Sequence, residues 1–262
     1  MDRVTGWIAK AVLVFLYIPI VAVVVYSFNA SPTTSRWDGF SLEWYGELFT
    51  DQALLQTLQT SLIVGLIAAA AATVIGLLTA LGLTRYRVKG RAFFLGAVLL
   101  PLVLPEIVLG AALLTVFSTI ELPLGIPTIV LGHLVISLPL TTLILMGAMS
   151  SLDPSLPEAA ADLGCTPWQS FTRVIFPLLR SSILAAFLLT FTTSFSNIVI
   201  STFTSGVGST TMPLRIYSLL KTGITPEINA LGATLIVATV LIIFAVGVGQ
   251  MRRILVGDDA KS

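Results

Sequence analysis

The side chains that could do chemistry are few, and most of them lie inside apolar runs. Glu106 follows Pro105 within a run from about residue 92 to 117. A carboxylate at bilayer depth is costly and by default marks a contact to a solute or an ion. The competing reading is a carboxylate paired at an unwound turn, because Pro101 and Pro105 free backbone groups there. A second set is Thr190, Thr193, Ser194, Asn197, Ser201 and Thr204, at offsets 0, 3, 4, 7, 11 and 14. That spacing is one face of a helix. Such a stripe lines a wet path, or it hydrogen-bonds packed helices to each other. Thr193, Ser194, Asn197 and Ser201 are the path candidates, and Asn197 leads because amides are the rarest of these groups against lipid. His133 is the single histidine and the chain has one cysteine, Cys165. That supply does not make a metal site, so His133 reads as a helix-packing residue.

Catalysis finds no constellation. No Gly-x-x-x-x-Gly-Lys-Ser/Thr stretch occurs, so the chain does not cradle ATP phosphates in that way. No nucleophile motif surrounds any serine. The expectation is a non-enzyme that binds no cofactor itself.

The elements that must position these residues follow from composition. Of 262 residues, 56% are hydrophobic and 10% charged, with mean hydropathy +0.99. Soluble domains carry roughly 25% charged residues, so the fold class is an all-α integral membrane protein. A net charge of +1 gives no nucleic-acid footprint. One cysteine excludes an internal disulfide. No second domain is visible, and residues 1–262 read as one transmembrane domain.

Six spans are predicted, at about residues 11–28, 61–83, 92–117, 129–149, 183–203 and 230–248. The first could be a signal peptide, but Tyr17 and Pro19 inside it and a poor cleavage site after it favour an uncleaved span. Between spans one and two, Ser41 can cap a short helix whose face of Trp44, Tyr45, Leu48 and Phe49 suits the headgroup level. Met212-Pro213 starts a helix that Gly223 can stop, and Thr225-Pro226-Glu227 starts another. Eleven of the fourteen Lys and Arg residues fall on the side of the termini, with Arg36, Arg215 and Lys221 on the other. Positive-inside places both termini, and the loop of about 150–180, in the cytoplasm.

That loop is a polar, helix-forming island. Ala159, Ala160 and Ala161 favour helix, Gly164 can end it, and Thr166 with Pro167 can start another. Trp168, Phe171 and Val174 follow at intervals of three. Two short helices joined by a sharp turn would form a knob suited to transmitting force to or from a partner.

Glu158-Ala159-Ala160, then Gly164, then Pro177 resemble the EAA loop of bacterial ABC-importer permeases. Val174 and Phe176 stand where that pattern has Ile and Leu. Over the whole chain the sequence resembles the second permease of spermidine/putrescine-type systems. The matching stretches include Leu16-Tyr17-Ile18-Pro19-Ile20, Pro105-Glu106-Ile107-Val108 and Lys221-Thr222-Gly223-Ile224-Thr225-Pro226-Glu227. The resemblance implies the type I importer permease fold in a bacterial inner membrane. It implies a second permease subunit, a different chain, beside this one. It also implies a cytoplasmic ATPase dimer that uses ATP and Mg, and a periplasmic solute-binding protein. Glu158, Ala159, Ala160, Asp162, Gly164, Trp168, Phe171 and Pro177 would then form or support the contact to the ATPase. Polyamine permeases lead us to expect an acidic pair in the fifth span, where Ser196-Asn197 stands here. The resemblance therefore implies a small polar organic solute, polyamine-like or related. The rival readings are an ion-coupled secondary transporter and a non-transporting membrane scaffold.

Overall fold

The computed structural model describes residues 3–32, 36–86, 88–222 and 226–241. Helices are α1 (Arg3–Tyr26), α2 (Glu43–Thr50), α3 (Gln52–Arg85), α4 (Arg91–Val103), α5 (Glu106–Thr119) and α6 (Ile126–Ser150). They continue with α7 (Leu156–Asp162), α8 (Pro167–Ser170), α9 (Phe176–Ser196), α10 (Val199–Thr204), α11 (Met212–Thr222) and α12 (Pro226–Leu241). Among the described residues the only β pairing is an isolated bridge between Asn29 and Phe40. The chain forms two compact units. One is Gln56–Arg215, and the other takes the described residues of Met1–Leu55 and Ile216–Ser262.

In the second of these units, α1 exposes Trp7, Phe15 and Ile18, an apolar surface suited to lipid and not to water. The chain after it is fastened by Asn29, which is fully buried. Its Nδ2 donates to the Arg36 carbonyl at 2.6 Å, and its Oδ1 accepts from the amide of Asp38 at 3.0 Å. Trp44 Nε1 donates to the Asn29 carbonyl at 2.8 Å, and Ser27 Oγ meets the Tyr45 hydroxyl at 2.7 Å. The predicted apolar face of α2 is thus divided: Leu48 is buried, Trp44 and Tyr45 are half-buried and anchored, and Phe49 is exposed.

In the unit Gln56–Arg215, small residues let helices approach closely. A Cβ on Gly132 would come within 2.6 Å of Ile200, so α6 and α10 touch nearly backbone to side chain. The core at one end is Ala80, Leu145, Met149, Ile175 and Leu179, joining α3, α6 and the start of α9. α3 has 34 residues. At 1.5 Å rise it is about 51 Å long, well beyond a hydrocarbon core of about 30 Å.

Three expectations are corrected. The third predicted span is not one helix: α4 and α5 meet at a 108° bend. Pro105 has no N–H to donate and biases Leu104 towards extended backbone, seen at φ −75°, ψ 140°. The fifth predicted span is broken as well, between Ser196 and Val199, where Asn197 is extended at φ −75°, ψ 117°. The second helix of the knob is not a separate short one. α8 runs through a π-helical stretch, Phe171–Ile175, directly into α9. Pro177 explains the wide turn, since its ring would clash with the carbonyl four residues back in a regular α-helix. Among the described residues four helices are long and apolar enough to cross a membrane, or five if α4 and α5 count as one broken span. The sixth predicted span, 230–248, lies partly outside the described residues, as do Gly223, Thr225, Arg87 and the basic residues beyond 241.

Candidate functional site

The two helix breaks meet. Glu106 is the first residue of α5, where an acid also complements the helix dipole. Asn197 lies between α9 and α10. Asn197 Nδ2 donates to Glu106 Oε1. Asn197 Oδ1 accepts the amide of Ile200 at 2.8 Å and so holds the start of α10. Ser201 Oγ donates to the Asn197 carbonyl at 2.9 Å. One amide therefore satisfies a carboxylate on one broken helix and a backbone donor on the other. Asn197 is buried and Glu106 half-buried, so the acid keeps an opening to its surroundings.

The remaining members of the polar stripe divide by burial. Ser194 Oγ lies 2.6 Å from His133 Nδ1, and Ser201 Oγ lies 3.0 Å from His133 Nε2. Thr190 Oγ1 meets Thr141 Oγ1 at 2.7 Å, and Thr128 Oγ1 donates to the Thr204 carbonyl at 2.8 Å. All of these are buried. Ser194 and Ser201, placed on the path by sequence, are instead engaged inside the chain. Thr193 is half-buried and donates to the Leu189 carbonyl of its own helix at 2.9 Å. Thr141 and Thr128 were missed from sequence. His133, Ser137 and Thr141 recur every four residues in a largely apolar helix, which was the legible half of the signal.

The loop of 150–180 is built by local chemistry. Asp153 Oδ1 accepts from the Ser155 amide at 2.9 Å and from Ser155 Oγ at 2.7 Å, which holds its carboxyl below the usual carboxylate range. α7 ends in a Schellman motif: the Gly164 amide donates to the Ala161 carbonyl at 2.8 Å and the Cys165 amide to the Ala160 carbonyl at 2.9 Å. Gly164 has φ +83°, a conformation that glycine adopts without steric cost. Thr166 and Gln169 then form a reciprocal capping box at α8, with 2.9 and 3.3 Å bonds.

Of the predicted coupling residues, Ala160 is buried and Phe171 is half-buried, tilted against Trp168 with centroids 5.8 Å apart. Glu158, Ala159, Asp162 and Pro177 are exposed. Trp168 is 71% exposed and Leu163, unremarked in the sequence, is 85% exposed. Two large exposed apolar side chains, Leu163 and Trp168, thus flank the Gly164 turn, and Glu158 and Asp162 lie on the short helix before it. Among the described residues no group of His, Cys, Asp and Glu could hold a metal ion.

Residues 72–256 match the model of the family described as "Binding-protein-dependent transport system inner membrane component". The chain is 35% identical over 240 residues to the spermidine/putrescine transport system permease protein PotC of Escherichia coli K12, covering 92% of this chain and 91% of that one. It is 38% identical over 236 residues to the putrescine transport system permease protein PotI of the same organism, covering 87% and 84%. Among solved structures, a bacterial ABC transporter that imports the acidic polysaccharide alginate aligns over 95% of this chain and 96% of its own, with TM-score 0.70 and 15% identity. The inward-facing MetNI methionine ABC transporter aligns over 76% and 94%, with TM-score 0.63 and 19% identity. The family model and the relatives agree, and the chain belongs to the family of inner membrane components of binding-protein-dependent transport systems.

Proposed function

We propose that this chain is one permease half of an importer for a small cationic organic solute of the polyamine type. The observation that carries the reading is the Glu106–Asn197 pair at two facing helix breaks. Glu106 is the one carboxylate in any predicted span, and its present partner is an N–H donor. An ammonium group of a passing solute offers the same kind of donor with a full charge, and hydrogen bonds to charged groups are roughly twice as strong as neutral ones. The solute would displace the Asn197 amide from the carboxylate. Thr193 and Asn197 would complete the wall of the path, while Ser194 and Ser201 hold it in shape through His133.

The remaining assembly is part of the same proposal. The chain has six spans with both termini in the cytoplasm, as the distribution of basic residues supports. It stands beside a second, different permease chain and receives solute from a periplasmic binding protein. Two cytoplasmic ATPase subunits hydrolyse ATP with Mg, and their grooves receive α7, Leu163 and Trp168. Closure of the ATPase pair is transmitted along the uninterrupted run from α8 through the π-helical stretch into α9, which ends at Asn197. A push on the knob therefore arrives at the Glu106 junction.

Uptake of radiolabelled putrescine and spermidine by cells expressing this chain with its partners tests the proposal. Glu106→Gln should reduce uptake at least about tenfold, because a charge-assisted contact is worth roughly 1.5–3 kcal/mol. Full uptake by Glu106→Gln would remove the carboxylate from the path.

A further inference from the structure

We infer that the turn between α3 and α4 is a binding site for the phosphate of an anionic phospholipid. A cavity of about 570 Å³ opens there, lined by Arg85, Lys89 and Arg91 together with Leu83, Tyr86 and Val88. No acid lines it. Arg85 Nη2 is buried and has no hydrogen-bond partner among the described residues. A cation in the last turn of α3 complements the helix dipole, which accounts for the charge of Arg85. It does not account for two further cations around one cavity, or for a guanidinium nitrogen withdrawn from water with no acceptor among the described residues. A phosphate supplies the missing acceptor, and the planar guanidinium fork matches its oxygens.

The surroundings favour a lipid over a soluble anion. Tyr86 is exposed beside the cations, and Phe93 and Phe94 are exposed on the first turn of α4. Aromatic side chains with one polar end sit at the headgroup level, and an apolar flank suits the start of an acyl chain. A soluble phosphate would need only the cations. The site is close to the coupling loop: Thr84 Oγ1 donates to Met149 Sδ at 2.8 Å, and Met149 packs with Ile175 in one core. Bound lipid would brace the end of α3 against the end of α6, from which that loop departs.

The test uses the intact transport complex in phosphatidylcholine nanodiscs carrying a minority of spin-labelled phosphatidylglycerol or spin-labelled phosphatidylcholine. The immobilised fraction of each label is read by electron paramagnetic resonance. The expected result is preferential immobilisation of phosphatidylglycerol, falling about fivefold for each cation removed in Arg85→Gln and Lys89→Gln. Equal immobilisation of the two labels, or an unchanged preference in both variants, would overturn the site. Displacement of the phosphatidylglycerol label by millimolar inorganic phosphate would overturn the lipid as its occupant. Should Arg85→Gln fail to insert, Lys89→Gln with Arg91→Gln leaves Arg85 in place and is expected to lower the preference about twenty-five-fold, fivefold for each cation.

Discussion

At the scale of residues, Asn197 holds two helix fragments in place. Its amide nitrogen serves Glu106, and its amide oxygen serves the start of α10. Asn197→Leu keeps the branching and the number of side-chain heavy atoms and removes both bonds. Leaving a buried donor or acceptor unmet costs about 1–3 kcal/mol, so the junction should loosen without preventing insertion. Solute uptake is expected to fall at least several-fold while recovery of the assembled complex is unchanged. Unaltered uptake kinetics would return the whole stripe to a packing role. Asp153 supplies a pH-dependent counterpart outside the membrane. Its carboxyl is held low by Ser155, so its contribution to the loop entry is complete above the unfolded carboxylate value and is lost as pH falls through the lowered one. The protection of the Ser155 amide, the slowing of its exchange relative to an unstructured chain at the same pH, should therefore fall on acidification, and Asp153→Ala should already lack that protection at neutral pH.

At the scale of elements, local chemistry was legible and tertiary chemistry was not. Gly164, Thr166 and Pro167 announce a stop and a start within four residues, and the Schellman motif and capping box follow from them. Gly164→Val tests that logic. A Cβ there meets nothing within 4 Å, so the expected effect is backbone strain at positive φ, roughly 1–2 kcal/mol. The variant should insert normally and lose association with the ATPase, measured by co-purification. The break at Pro105 was half visible: the proline was seen, but a continuous apolar run concealed how far the chain turns there. The break at Asn197 had no local signal of that kind, because Asn197 stops a helix through what it bonds to in space. The stripe was expected on one face of a single helix, but the chain breaks at Asn197, and what its members bond to depended on α6. His133, Ser137 and Thr141 had to be placed opposite it before Ser194 and Thr190 became packing groups. The fusion of α8 with α9 was hidden by Pro177, which ordinarily ends a helix and here is accommodated by a π turn.

At the scale of the whole molecule, α9 joins two parts of one unit. Leu163 and Trp168 stand exposed at one end, and Glu106 and Asn197 meet further along α9. The proposed orientation puts Leu163 and Trp168 on the cytoplasmic side, with the excess of basic residues. The most direct test is uptake by proteoliposomes containing the purified complex of this chain with its partner permease, ATPase subunits and binding protein. The account predicts that labelled putrescine or spermidine enters only with ATP on the ATPase side, that ionophores leave entry intact, and that Glu106→Gln abolishes most of it. Entry without ATP that collapses with the ion gradient would contradict the account and make Glu106 the coupling acid of a secondary transporter.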